Sequence, residues 1–86
     1  MINDMTNLEI FKHILHNEGA TGKTRERYIS YWINGKVVAY IHHSNKKLKL
    51  KKTSTKLVKI ATAMFGKPNL FINSAEKADL TGWRVA

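Results

Sequence analysis

The chain contains no cysteine, which excludes disulfide staples and thiolate metal sites as the means of holding so small a domain together. Acids are scarce as well: six Asp and Glu face fifteen Lys and Arg, for a formal net charge of +9 at pH 7. That imbalance excludes the evenly mixed surface that solubility alone favours. Proline occurs once and glycine five times among 86 residues, too few for a low-complexity linker. No uncharged apolar run approaches a membrane span, and Met1-Ile2-Asn3-Asp4 is not the basic start of a signal peptide. The expectation is one domain over residues 1–86, cytoplasmic (host cytoplasm for a viral chain), without membrane attachment or cofactor. Apolar residues still make up 43% of the composition, so the chain is a folded globule and not a disordered basic tail.

The positive charge is segregated. Between Lys23 and Lys67 lie twelve basic residues and one acid, Glu26, whereas the rest of the chain carries three basic and five acidic groups. The densest part, Lys46-Lys47-Leu48-Lys49-Leu50-Lys51-Lys52, puts five ammonium groups in seven residues. Such a run repels itself unless a polyanion shares the field. Lys outnumbers Arg twelve to three; lysine is a point charge suited to phosphate, whereas arginine's planar fork is the usual reader of guanine edges. Phosphate contact without strong base recognition follows.

Thr6 and Glu9 have capping-box spacing, and Leu8, Phe11 and Leu15 repeat at helical intervals, predicting a first helix from about Thr6 to Glu18. Gly19-Ala20-Thr21-Gly22 reads as a loop. Tyr28 to Ile33, the turn pair Asn34-Gly35 and Lys36 to His42 read as a β-hairpin. A two-residue turn sets Trp32 opposite Val37, Tyr31 opposite Val38, Ile29 opposite Tyr40 and Tyr28 opposite Ile41. Lys47, Lys49 and Lys51 alternate with Leu48 and Leu50, which predicts a third strand with its lysines in solvent. Thr53, Ser54 or Thr55 caps a second helix carrying Leu57, Ile60, Ala61 and Met64, which Gly66 and Pro68 end. Leu70-Phe71-Ile72 suggests a short strand, Asn73 to Glu76 another cap, and Trp83-Arg84-Val85 a terminal strand. The predicted class is α+β: helix, three-stranded antiparallel meander, second helix, short C-terminal strand or turn segment.

Gly19-Ala20-Thr21-Gly22-Lys23-Thr24 has two residues between its glycines where a phosphate loop needs four, and it follows a helix instead of a strand. Nucleotide hydrolysis is thereby excluded. His13 and His16 lie i,i+3 on the polar side of the first helix, and with no Cys in the chain they are not read as part of a zinc set. His42 and His43 are consecutive on a strand and point to opposite faces. A histidine among lysines is compatible with a small ribonuclease. The order of helix, strands and helix with a histidine in the sheet is similar to small toxin ribonucleases of the HicA type, whose glycine-serine-histidine motif this chain lacks. Between Arg27 and Gly66 the order also resembles the double-stranded-RNA-binding domain and the sheet-in-groove readers of some integrase arms, in outline and charge.

The hairpin is apolar on both faces, and one helix layer covers only one of them. The Trp and Ile payload predicts Tyr28, Trp32, Val37 and Ile41 as the buried set. Tyr31 and Tyr40 are then accessible for base stacking or for a homodimer through the exposed sheet face. The resulting expectation is a non-enzymatic nucleic-acid-binding protein, DNA favoured over RNA and duplex DNA foremost, with mainly sequence-independent contacts. The binding residues expected are Lys23, Arg25, Arg27, Lys46, Lys47, Lys49, Lys51, Lys52, Lys56 and Lys59, with Tyr31 and Tyr40. The alternatives are an inhibitor or adaptor of the phage or mobile-element type that binds an acidic host protein, and the ribonuclease.

Overall fold

The computed structural model describes residues 5–44, 47–68 and 80–85. Its elements are α1 (Asn7–Asn17), β1 (Thr21–Thr24), β2 (Tyr28–Ile33), β3 (Lys36–His42), β4 (Lys47–Lys51), α2 (Thr55–Phe65) and β5 (Leu80–Arg84). The strands pair antiparallel in one sheet of order β1-β2-β3-β4-β5. The α+β class holds, but the sheet is wider than the expected meander. The suggested strand at Leu70-Phe71-Ile72 and the cap from Asn73 to Glu76 lie outside the described residues. Among the described residues neither helix is long and apolar enough to cross a membrane.

α1 starts on the full capping box: the Glu9 backbone N–H donates to Thr6 Oγ1 at 3.2 Å, and the Thr6 N–H donates to Glu9 Oε1 at 3.1 Å. It ends where Gly19, at φ 92°, and Ala20 donate back to the His16 and Leu15 carbonyls, a Schellman closure. Between these stops the stripe Leu8, Phe11 and Leu15 is buried. α2 starts at Ser54, whose side chain makes no capping bond, and ends at Gly66 with φ 87°. Phe11 and Phe65 meet edge to face at 5.9 Å, joining the two helices.

Both helices cover one face of the sheet, since Leu8, Phe11, Leu15, Leu57 and Ala61 share one core with Tyr31, Ile41, Leu48, Leu50 and Trp83. Trp83 is wholly buried and its indole N–H donates to the Gly66 carbonyl at 2.8 Å, tying β5 to the end of α2. β1 occupies the stretch that two glycines mark as a loop. It exists because β2 offers it an edge, and because Gly22 leaves room for the opposing Tyr31 ring, 3.3 Å from where a Cβ would sit.

The hairpin register departs from counting after the two pairs next to the turn, Ile33–Lys36 and Trp32–Val37. Trp32 faces Val37 as expected, but Tyr31 faces Ala39, leaving Val38 as an extra residue in a β-bulge. From there on Ile29 pairs with Ile41 and Tyr28 with His42. The one-residue shift exchanges the two faces of β3. Ala39 and Ile41 join Tyr31, buried, and Ile29, half-buried, in the core, while Tyr40 turns outward.

Candidate nucleic-acid interface

The face of the sheet away from the helices is assembled from alternate residues of every strand. Register and alternation place Lys23 of β1, Tyr28, Ser30 and Trp32 of β2, Tyr40 and His42 of β3, Lys47, Lys49 and Lys51 of β4, and Arg84 of β5 on this side. Among the described residues, none of the five strands contains an Asp or Glu. On the described strands this side carries basic side chains and no acid, and the one acid of the basic stretch, Glu26, is exposed in the loop between Arg25 and Arg27.

Trp32 is fixed from below. Its indole N–H donates to Ser30 Oγ at 2.9 Å, and that hydroxyl donates to the Lys23 carbonyl at 3.4 Å. The Lys23 ammonium sits 4.4 Å from the centroid of the indole, a cation–π contact on the outer surface. Toward the other end of β2, Tyr28 packs edge to face on Tyr40 at 5.5 Å and tilted on His42 at 5.8 Å. Trp32 and Tyr28 are both half-buried, with β1 beside them exposed along its length.

The loop after β1 carries Arg25 and Arg27, both exposed, and is held by His43. The His43 N–H donates to the Arg27 carbonyl at 3.0 Å, and its ring Nε2 lies 3.0 Å from the Arg25 carbonyl. A carbonyl only accepts, so Nε2 carries the proton in this contact. His43 thus positions two cations beside the aromatic face. At the opposite end of the sheet a recess of about 540 Å³ is lined by Lys36, Lys51 and Lys52, the bulge residues Val37 and Val38, and the hydroxyls of Thr53 and Ser54.

Several expected binding residues are placed elsewhere. Tyr31 is 8% exposed and faces the helices, and burial pushes its phenol above the ordinary tyrosine value. β2 is therefore opposite to expectation, with Trp32 and not Tyr31 joining Tyr40 on the outer side, whereas β3 keeps Ile41 in the core and Tyr40 outside as expected. Ser30 between Tyr28 and Trp32 is the sequence signal for this, because the opposite parity, Ile29, Tyr31 and Ile33, has no polar interruption. Lys49 lies on the expected side of β4 yet is only 8% exposed. Its register neighbours are Tyr40 of β3 and Gly82 of β5, and Gly82 and Leu80, which share that side of β5, are buried as well. Lys47 and Lys51 are half-buried. Lys56 pairs with Glu18 of α1 at 2.8 Å and Lys59 is exposed one turn on, both on the helix layer and away from the open face. Lys46 lies outside the described residues.

Trp32, Tyr28, Lys36, His43 and Arg84 are the members that the sequence reading omits. Among the described residues no group of three or more His, Asp or Glu side chains is placed to hold a metal. No protein-family model matches the chain, and no curated protein or solved structure matches it.

Proposed function

We propose that this protein binds nucleic acid without catalysing a reaction on it, through the face of the sheet that the helices leave uncovered, and mainly through phosphate. The carrying observation is that five adjacent strands contain no acid while Lys23 and Arg84 point outward from the flanking strands. Arg25 and Arg27 at one end and Lys36, Lys51 and Lys52 at the other extend that charge beyond the strand ends. β2 alone spans about 17 Å between these clusters at ~3.3 Å per residue. A polyanion laid along β2 meets cations at both ends and in the middle. Lysine-dominated contact of this kind neutralises phosphates without reading base edges.

The test is the salt dependence of binding to fluorescently labelled oligonucleotides, followed by anisotropy. Five phosphate contacts give a slope of log K against log salt of about −4.5 on duplex DNA and about −3.5 on a single strand, from counterion release. No binding at low salt, or a slope shallower than about −1, refutes the proposal. Capture of an acidic protein that survives excess heparin and nucleic acid identifies the protein-partner alternative instead.

A further inference from the structure

We infer that the ligand of this face is single-stranded, with unpaired bases stacked on Trp32 and Tyr28. The inference rests on the nucleic-acid reading above and specifies its substrate. Phosphate charge alone does not choose between duplex and single strand; the aromatic rings do. In a duplex the faces of the bases are occupied by their neighbours, so a flat sheet carrying aromatic side chains meets only backbone and groove edges. A single strand offers exposed π-faces, and stacking on aromatics is the general, sequence-tolerant way of holding them.

Three features of the site fit that ligand. The Trp32 ring has its only polar atom satisfied within the protein by Ser30, which holds the ring without consuming its face. The Lys23 ammonium lies over that ring, 4.4 Å from its centroid, a contact that a base replaces while the flexible lysine moves to the adjacent phosphate. Tyr28 and Trp32 are four residues apart on one strand, about 13 Å at ~3.3 Å per residue, well beyond the ~3.4 Å step between bases in a duplex strand. The two rings therefore hold bases of an extended strand that are not immediate neighbours. Arg25 and Arg27 lie beyond Tyr28, where such a strand continues. A second copy of this chain fits the face poorly, because juxtaposing two acid-free sheets sets like charges against each other.

The deciding experiment titrates the full chain, at one fixed low salt concentration, with a labelled 12-nucleotide oligo-dT and with a 12-base-pair duplex. The single strand is expected to bind at least about tenfold more tightly. Trp32→Ala is expected to weaken single-strand binding roughly 5- to 140-fold, the range found for removing one stacked base, with less than a twofold change on the duplex. Trp32→Phe keeps most of the affinity and remains informative if the alanine variant fails to fold. Trp83 is wholly buried, so quenching of tryptophan emission on adding oligo-dT reports Trp32 and disappears in Trp32→Phe. Equal or tighter duplex binding, equal losses on both ligands, or unquenched emission at saturation overturns the stacking inference while leaving the nucleic-acid reading intact. Absence of binding to either ligand removes both. A ligand-free dimer in sedimentation that Trp32→Ala dissociates overturns the inference in favour of a self-association face.

Discussion

Replacing Leu48 by alanine tests the alternation on which the whole interface depends. Leu48 is 0% exposed on an interior strand, with Ile41 opposite it on one side and Trp83 on the other. The truncation removes three carbons. At ~0.8 kcal/mol per buried methylene the transfer loss is about 2.4 kcal/mol, and the cavity left between a rigid indole and two strands raises the total to ~3–5 kcal/mol. A chain of 86 residues has a total stability of roughly 4–13 kcal/mol, so Leu48→Ala removes a large fraction of it. With an unfolding entropy of ~2.1 cal/mol/K per residue, a loss of 3 kcal/mol lowers Tm by about 17 °C. Lys51→Gln, on the other side of the same strand and half-buried, should stay within about 0.5 kcal/mol of wild type. Urea and thermal unfolding followed by circular dichroism read both variants. Equal destabilisation by the two, or a Leu48→Ala midpoint within 2–3 °C of wild type, refutes the assignment of β4 faces and with it the placement of the basic side.

Tyr31, with its phenol pushed above the ordinary tyrosine value by burial, favours folding only while neutral; that contribution is complete below the unfolded pKa of about 10 and is lost as pH rises through the higher folded value. Tyr31→Phe should therefore show a shallower loss of stability than wild type above about pH 10, and identical alkaline profiles by urea titration contradict the burial. At the β2–β3 turn, Asn34 and Gly35 have φ of 52° and 78°, so Gly35→Ala should cost ~1–2 kcal/mol from left-handed backbone strain alone, as nothing lies within 4 Å of the added Cβ. An unchanged denaturant midpoint would show that the turn relaxes without penalty.

Much of this fold is determined within short stretches of sequence. The capping box of Thr6 and Glu9, the stripe of Leu8, Phe11 and Leu15, the stop at Gly66 and the turn at Asn34-Gly35 act over a few residues, and each is found where its local chemistry puts it. The clustering of lysines and the scarcity of acids are likewise properties of composition. Which aromatics face outward is not local. It depends on one bulge at Val38, which reverses the faces of β3 so that Ala39 and Ile41 pack under the helices with Tyr31. The strand at Thr21–Thr24 has little intrinsic preference for extended structure and exists only through its pairing with β2. Lys49 is buried even though it alternates with Leu48 and Leu50, and its β5 neighbour, Gly82, comes from far along the chain, a pairing that no window of sequence around Lys49 contains. Sequence alone thus determined the helices, the hairpin and the sign of the surface, because capping, turn chemistry and charge are short-range. Tertiary structure decided which rings and lysines reach the open face, because strand register and strand neighbours are set by burial across the whole sheet.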